Sequence, residues 1–230
     1  MENNFERSIQ ALGNTAFKQL QNVNIILFGV GGVGGWCAEA LVRTGVQHLT
    51  IVDFDTVNPS NINRQVVATT RNIGQHKVEA MRERLLSINP QADIVAVNER
   101  YSADTAELFD FNQYDYVIDA IDSVRDKALL ITQACAAKAE FFSSMGAGRK
   151  LDPTAIRVSA FKKVEGCPLA RAVRHQLKST FNLQPSTLNF SCVWSPELST
   201  PSGTIAPVVG VFGMTLANLV IQHILTSPAT

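Results

Sequence analysis

The sequence lacks the features that mark secreted, zinc-stabilised or disordered proteins. Its 230 residues include only four cysteines, and no two of them form a CxxC pair, which argues against a disulfide framework and a four-cysteine zinc site. Charged residues make up 17% of the chain and apolar residues 46%, a balance too apolar for intrinsic disorder. The first ten residues have no apolar core, so we expect no secretory signal and a reduced, cytoplasmic protein.

The chain also lacks a net charge, because 20 basic and 20 acidic side chains cancel. A zero total argues against a generally basic nucleic-acid-binding protein, yet the charge is unevenly placed. Residues 141–190 carry eight basic and two acidic side chains, whereas residues 1–140 carry 12 basic and 17 acidic ones. A basic segment suits a phosphate backbone, although each side chain could also belong to a solvated helix face. The predicted nucleic-acid contacts are Arg149, Lys150, Lys162, Lys163, Arg171, Arg174 and Lys178.

One long apolar stretch, residues 205–225, reaches the length of a membrane span. It contains Pro207, Asn218, Gln222 and His223, and no basic cluster flanks it. Because a bilayer core penalises such polar groups, we predict a buried packing or subunit-interface helix and expect no membrane anchor.

Short apolar runs alternate with helical patterns along most of the chain. Strands are predicted at 23–28, 49–52, 93–97, 116–118, 141–144 and 156–161. Helices are predicted at 5–20, 36–44, 77–88, 126–138 and 169–178. The alternation predicts an α/β fold, a Rossmann-like doubly wound sheet that is mostly parallel.

After Gly148 the regular alternation of strands and helices ends. Residues 187–194 could include a further strand within a loop region. No linker divides the chain, so we expect a single domain, 1–230. It carries a basic C-terminal elaboration at about 149–200 and a closing apolar segment at 203–225.

A glycine cluster follows the first predicted strand and precedes the next helix. Gly29, Gly31, Gly32 and Gly34 allow a tight turn and a close backbone approach to a phosphate, which the helix N-terminus also attracts. Asp53 ends the second strand 19 residues after Gly34, where a carboxylate accepts hydrogen bonds from a ribose. A turn that merely packs, or the site of an NAD-dependent enzyme, would look the same up to this point.

Two cations and two carboxylates follow. Arg64 can grip phosphate oxygens with its planar guanidinium, and Lys77 can act as a point charge, as a triphosphate requires. Either could instead be a solvated surface cation. Asp122 comes just after the fourth strand and is the better placed Mg²⁺ ligand, whereas Asp119 could be a structural carboxylate.

The stretches GVGGVG, DFDTVNPSNINRQ, GQHKVEAM and VIDAIDS, in this order, resemble the ThiF/MoeB and ubiquitin-activating superfamily of ATP-dependent adenylating enzymes. The resemblance implies ATP and Mg²⁺ as cofactors, with Asp122 on the metal. It also implies a homodimer in which Arg7 reaches the partner's ATP site. The catalytic residues implied are Arg64, Lys77, Asp122 and Arg7. The nucleotide-binding residues implied are Gly29, Gly31, Gly32, Gly34, Asp53, Asp55, Asn61, Arg64, Gln65 and Lys77.

A narrower resemblance rests on ALVRTGVQHLTIVDFD, VIDAIDSVRDKALL, GAGRKLDPT and CPLARAVR. These stretches are similar to the tRNA threonylcarbamoyladenosine dehydratases. That group implies tRNA as the partner, with adenylation of the threonine carboxylate of N6-threonylcarbamoyladenosine, cyclisation, and release of AMP and pyrophosphate.

Two other functions stay open. One is adenylation of a ubiquitin-like sulfur-carrier protein for thiamine or molybdopterin biosynthesis, which the absence of two CxxC pairs disfavours. The other is a nucleotide-binding scaffold without catalysis, and a sulfur-relay protein remains a candidate partner. Cys192 lies where a thioester-forming loop cysteine could lie, although no neighbouring base would activate it. Cys37 and Cys135 are predicted in the core.

Overall fold

A computed structural model of the protein describes residues 4–198 and 202–226. Within these residues there are seven β-strands: β1 (Asn24–Phe28), β2 (His48–Val52), β3 (Asp93–Val97), β4 (Tyr116–Asp119), β5 (Glu140–Ser144), β6 (Arg157–Ala160) and β7 (Ser191–Trp194). The same residues form seven α-helices: α1 (Glu6–Leu12), α2 (Asn14–Asn22), α3 (Gly32–Thr44), α4 (Lys77–Ile88), α5 (Val124–Ala134), α6 (Pro168–Phe181) and α7 (Ala206–Thr226).

The strands form a single seven-stranded sheet within the described residues, in the order β3-β2-β1-β4-β5-β7-β6. All neighbouring strands are parallel except β6, which runs antiparallel to β7. The predicted doubly wound, mostly parallel α/β sheet is therefore confirmed. The chain winds outward in one direction from β1 to β3 and in the other direction from β4, so a crevice opens between the carboxyl ends of β1 and β4.

The central strands are buried on both faces. On β1, Ile25 and Leu27 pack in the core on the side of α3, α4 and α7, while Ile26 and Phe28 pack in the core on the side of α5 and α6. Side chains alternate between the two faces of a strand, so covering both faces requires an unbroken apolar run. This explains why the strand that leads to the glycine cluster is continuously hydrophobic.

The N-terminal segment differs from the prediction of one helix over 5–20. It forms two helices, α1 and α2, which meet at Gly13. The φ angle of Gly13 is 78°, in the left-handed region that an α-helix cannot contain. The apolar spacing continues from α1 into α2. The sequence pattern therefore does not show that the backbone changes direction at Gly13.

The closing helix α7 confirms the predicted packing helix. It is long and apolar enough to cross a membrane by length and composition, with a mean hydropathy of 1.8. Val208, Phe212 and Leu216 are nevertheless buried in the protein core. A Cβ atom on Gly213 would lie 2.4 Å from the Val33 carbonyl oxygen of α3, so the two helices cross in close contact.

Candidate active site

A cleft of about 610 Å³ opens at the edge of the sheet where the parallel strands end. Its lining includes ten of the predicted residues: Gly29, Gly31, Gly32, Asp53, Asp55, Asn61, Arg64, Gln65, Lys77 and Asp122. The parallel strands bring these residues to one edge although they lie up to 93 positions apart in the chain. Two predicted residues, Gly34 and Arg7, do not line the cleft.

The glycine turn forms the floor of the cleft. Gly29 has a φ of 88°, and a Cβ atom there would lie 2.8 Å from the Ala120 carbonyl oxygen of the neighbouring strand end. A Cβ atom on Gly34 would lie 1.7 Å from the Gly29 carbonyl oxygen, so Gly34 permits α3 to pack against the turn. Because α3 begins at Gly32, its first N–H groups face the cleft, where they can bind a phosphate.

Asp53 follows β2 and presents a firmly held carboxylate. Its Oδ2 accepts a hydrogen bond from the Val30 N–H at 2.7 Å, and its Oδ1 accepts one from the Asp55 N–H at 2.9 Å. Burial raises the pKa of this carboxyl above its ordinary value. The carboxylate therefore has a fixed orientation beside the glycine turn, as recognition of a ribose requires.

The two predicted phosphate-binding cations belong to different segments. Lys77 is only 5% exposed, and its Nζ donates to Asp55 Oδ2 at 2.7 Å, so a solvated surface lysine is excluded. Arg64 is half-buried, and its Nη1 donates to the Ser60 carbonyl oxygen at 2.7 Å. The Trp36 indole donates to the Arg64 carbonyl oxygen at 3.2 Å, which ties the arginine segment to α3.

Two amide side chains, those of Asn61 and Gln65, line the cleft together with Arg64. Asn61 Oδ1 accepts a hydrogen bond from the Asn58 N–H at 3.0 Å and closes the short 3₁₀ turn before Arg64. Gln65 is 7% exposed, and its Oε1 has no hydrogen-bond partner among the described residues. An unpaired buried acceptor is costly, so a donor on a bound ligand would relieve it.

The two carboxylates near the end of β4 lie in different surroundings. Asp119 is fully buried, and its Oδ2 accepts hydrogen bonds from Lys127 Nζ at 2.5 Å and Ser143 Oγ at 2.6 Å. Its Oδ1 accepts one from the Ile121 N–H at 3.0 Å. The structural alternative for Asp119 is therefore confirmed, and its bonds hold the turn that carries the exposed Asp122 at the mouth of the cleft.

The side chains of the cleft suit a metal ion that is held mainly by the phosphate oxygens of a bound nucleotide and by water. No cluster of three or more His, Cys, Asp or Glu side chains that could hold a metal occurs in the part of the chain that the structure describes. Mg²⁺ is typically bound by one or two carboxylates together with phosphate oxygens and water. Asp122 fits that requirement, because it borders the same cleft as the two cations.

The sequence analysis did not identify a part of the cleft wall that is formed by Arg100, Asp126 and Phe54. Arg100, which follows β3, donates to Asp126 Oδ2 from Nε at 3.0 Å and from Nη2 at 2.7 Å. Its guanidinium also lies over the Phe54 ring, 5.5 Å from the centroid. Such a wall can stack on a base. The three residues come from separate segments, and only the position of Arg100 soon after a strand end could have suggested it.

The predicted nucleic-acid contacts divide into two groups. Arg149, Lys162, Lys163, Arg171 and Lys178 are exposed. Lys150 is 3% exposed, its Nζ donates to the Glu197 carbonyl oxygen at 2.6 Å, and burial lowers the pKa of its ammonium. The Nη2 of Arg174 donates to the carbonyl oxygens of Phe161 and Val164 at 2.6 and 2.7 Å. The prediction is wrong for Lys150 and Arg174, because their charged groups bind the protein's own backbone.

The cysteines do not offer a nucleophile at the cleft. Cys192 lies in β7 with no exposed surface, and its Sγ donates to the Ser159 carbonyl oxygen at 3.4 Å. Burial raises the pKa of its thiol to about 12, so a thioester-forming loop cysteine is excluded at this position. Cys37 is buried in α3 as predicted. Cys135 is exposed beyond the end of α5, and its predicted place in the core is wrong.

Replacing Cys192 with alanine is expected to leave the turnover number of a reaction in the cleft within about twofold of wild type, because a buried thiol with a raised pKa supplies no nucleophile. The substitution removes one small buried group, so a modest fall in Tm is expected as well. Steady-state kinetics measured well below the Tm test this. A loss of kcat in a variant that is still folded would contradict it.

The comparisons with known proteins agree with this geometry. A family model described as the ThiF family matches residues 5–230. The tRNA threonylcarbamoyladenosine dehydratase of Escherichia coli (strain K12) is 39% identical over 196 residues, which cover 84% of this chain and 73% of the relative.

Two solved structures of E. coli tRNA N6-threonylcarbamoyladenosine dehydratase, TcdA, share the fold at 36% identity. The complex with ATP has a TM-score of 0.92 and covers 96% of this chain and 93% of its own. The complex with AMP has a TM-score of 0.94 and covers 99% and 96%. The resemblance first carried by four sequence stretches thus extends over the whole fold, and the chain belongs to the ThiF family.

Proposed function

We propose that this protein is an ATP-dependent tRNA-modifying dehydratase. It adenylates the threonine carboxylate of N6-threonylcarbamoyladenosine in tRNA and cyclises the product, with release of AMP and pyrophosphate. The observation that carries the proposal is the cleft that brings Asp53, Arg64 and Lys77 together beside the glycine turn. Relatives named for this reaction, one of them solved with ATP, share the fold at high coverage.

The first step needs charge stabilisation more than covalent chemistry. A carboxylate oxygen attacks the α-phosphorus of ATP, and the bond to the bridging oxygen breaks to release pyrophosphate. Arg64 and Lys77 counter the charge that builds up on the phosphates. Asp53 and the first N–H groups of α3 orient the nucleotide. The carboxylate and the α-phosphate are then held together in the cleft, so the attack proceeds like an intramolecular reaction.

The second step closes a ring. A nitrogen or oxygen atom of the neighbouring urea attacks the activated acyl carbon, the bond to the AMP oxygen breaks, and the urea loses a proton. The net change in the tRNA is the loss of one water. No enzyme nucleophile is required, which agrees with the buried position of Cys192.

Asp122 is the proposed ligand of Mg²⁺. The carboxylate is exposed at the mouth of the cleft, in the turn that Asp119 holds in place. A bound Mg²⁺ would neutralise phosphate charge and favour the departure of pyrophosphate. Asp122 lines the same cleft as Arg64 and Lys77, the two proposed phosphate-binding residues.

We propose that the exposed basic residues of the C-terminal elaboration bind the phosphate backbone of tRNA. We also propose that the protein acts in the cytoplasm. Arg171 lies in the first turn of α6, two residues after Leu169, which lines the cleft. Lys162 and Lys163 follow β6, which ends at the opposite edge of the sheet. Contacts at both places would need a ligand as extended as a tRNA stem and loop.

The function is tested with tRNA that carries N6-threonylcarbamoyladenosine, together with ATP and Mg²⁺. We expect AMP and pyrophosphate to form in step with tRNA that has lost one water, as measured by mass spectrometry of its nucleosides. Unmodified tRNA and a sulfur-carrier protein ending in GlyGly serve as controls and should give no turnover. Turnover with the carrier but not with the modified tRNA would overturn the proposal in favour of the sulfur-carrier function.

We further propose a homodimer in which Arg7 completes the partner's site. Arg7 is exposed on α1 and does not line the cleft of its own chain. Arg7→Ala and Arg64→Ala should each lower turnover by about 10²-fold or more. A coexpressed mixture should regain about a quarter of wild-type activity, because about half of the dimers are mixed and each mixed dimer contains one intact site of two.

A matched control for this mixture is Arg64→Ala with Lys77→Ala. Both residues line the cleft of one chain, so every site in the mixed dimer keeps one defect and no activity should return. Failure of the Arg7 mixture to exceed this control would show that Arg7 does not act across subunits.

A further inference from the structure

Two stretches of the sequence meet at one wall of the cleft. Met145, Gly146, Ala147 and Gly148 follow β5 and line the cleft, and so does Leu169 at the start of α6. A Cβ atom on Gly146 would lie 3.4 Å from the Leu169 Cβ, so the segments are in contact. This wall, called the 145–148 wall below, contains no charged side chain, in contrast to the wall that holds Arg64 and Lys77.

The segment that continues from this wall is firmly held. The Glu197 carboxylate accepts hydrogen bonds from the Leu151 N–H at 2.9 Å and the Asp152 N–H at 3.0 Å. Lys150 is buried against the carbonyl oxygen of the same glutamate. Arg149 has a left-handed φ of 61°, a conformation that costs energy for a residue with a side chain. Such strain is retained where surrounding bonds impose one geometry.

The residues just before α7 connect this wall to the phosphate-binding segment. The Arg149 N–H donates to the Gly203 carbonyl oxygen at 2.8 Å, and the Thr204 hydroxyl donates to the Ala147 carbonyl oxygen at 3.4 Å. On the other side, Asn63 Nδ2 donates to the Thr204 carbonyl oxygen at 2.9 Å. The 145–148 wall and the Arg64 segment are therefore both hydrogen-bonded to Thr204, which holds them in one relative geometry.

The chemistry of the two walls is complementary to two reactants. The charged wall suits the triphosphate, whereas small, uncharged surfaces suit a planar base and a short aliphatic side chain. A carboxylate bound against the 145–148 wall would share one cleft with the phosphates that Arg64 and Lys77 bind, and attack on the α-phosphorus requires that the two reactants lie close together. Exposed basic residues, Arg149 and Arg171, flank this wall on the outside and suit the adjoining backbone phosphates.

We infer that the 145–148 wall, together with Leu169, is the subsite that receives the threonylcarbamoyl-adenosine of the substrate tRNA. The inference rests on the proposed function and names the place in the cleft where its second substrate binds. Gly148 is the position where the shape of this subsite can be altered. A Cβ atom there meets no other atom within 4 Å, and the φ of Gly148 is outside the left-handed region, so the backbone accepts a side chain at this position.

The test is Gly148→Leu in the full-length protein. The KM for modified tRNA should rise by about tenfold or more, because the leucine occupies space that the nucleoside needs. The KM for ATP and the Tm should stay at their wild-type values. Ala136→Leu, an exposed substitution that does not line the cleft, is the matched control and should change neither KM.

A second variant tests the same subsite independently, in case the Gly148→Leu protein does not fold. Leu169→Ala widens the same wall from α6 and should also raise the KM for tRNA while ATP binding persists. If wild type turns over modified tRNA and both variants keep its KM for tRNA, the subsite is overturned and the proposed function stands. If wild type forms no AMP with modified tRNA, the proposed function fails and the subsite fails with it.

Discussion

Arg64→Ala will lower kcat for AMP formation by about 10²–10³-fold, with a smaller change in ATP binding, because the guanidinium acts mainly on charge that develops during phosphoryl transfer. The arginine is well placed for this, since its segment is hydrogen-bonded to α3 through Trp36 and to Thr204, just before α7, through Asn63. Its position is therefore set before the nucleotide arrives. Stopped assays for AMP at saturating ATP and modified tRNA measure the effect.

Two control variants separate charge from geometry. Arg64→Lys keeps the charge but loses the planar pair of donors, so it should recover only part of the lost rate. Arg71→Ala removes an exposed arginine seven positions further along and should leave kcat unchanged. If Arg64→Ala keeps a kcat near that of Arg71→Ala, the proposed contact with the phosphates is wrong.

Lys127→Met will destabilise the fold by about 3–5 kcal/mol, because it leaves the Asp119 carboxylate buried without its cation. Both side chains have no exposed surface, and Lys127 Nζ lies 2.5 Å from Asp119 Oδ2. Methionine has nearly the volume of lysine, so the loss reflects charge and not a cavity. Urea unfolding followed by circular dichroism measures the free energy of unfolding.

The paired experiment removes both charges. Asp119→Asn combined with Lys127→Met should recover most of the lost stability, because asparagine keeps an oxygen for the Ile121 N–H without a buried charge. Lys138→Met, at an exposed lysine beyond α5, should cost less than about 0.5 kcal/mol. Equal stability of Lys127→Met and Lys138→Met would contradict a buried ion pair that supports the Asp122 turn.

Much of the site could be predicted from the chain because its parts are locally encoded. The glycine turn, Asp53 and Asp122 each lie within three residues of the end of an apolar strand, so the parallel sheet brings all three to one edge. Lys77 begins a helix, and the predicted bounds of that helix, 77–88, agree with α4. The narrower family resemblance added the substrate, which no local pattern encodes.

The errors share a physical cause. Lys150 and Arg174 were assigned to nucleic acid by residue type, yet their partners are backbone carbonyl oxygens of other segments, those of Glu197 and Phe161. The wall of Arg100, Asp126 and Phe54 was missed because it joins three separate segments. The single N-terminal helix was wrong because apolar periodicity records which face is buried but not where the backbone turns.

Periodicity and strand-end motifs were enough to establish a parallel α/β sheet, a nucleotide cleft at its carboxyl edge and a basic C-terminal segment, because each depends on neighbours within a few residues. Tertiary packing alone decided which charges face the ligand and which serve the fold. Lys150 and Lys178 are the same residue type in the same basic segment, yet one ammonium is buried on a backbone carbonyl and the other is in solvent. Burial and partner geometry depend on contacts between distant parts of the chain, and no local pattern contains them.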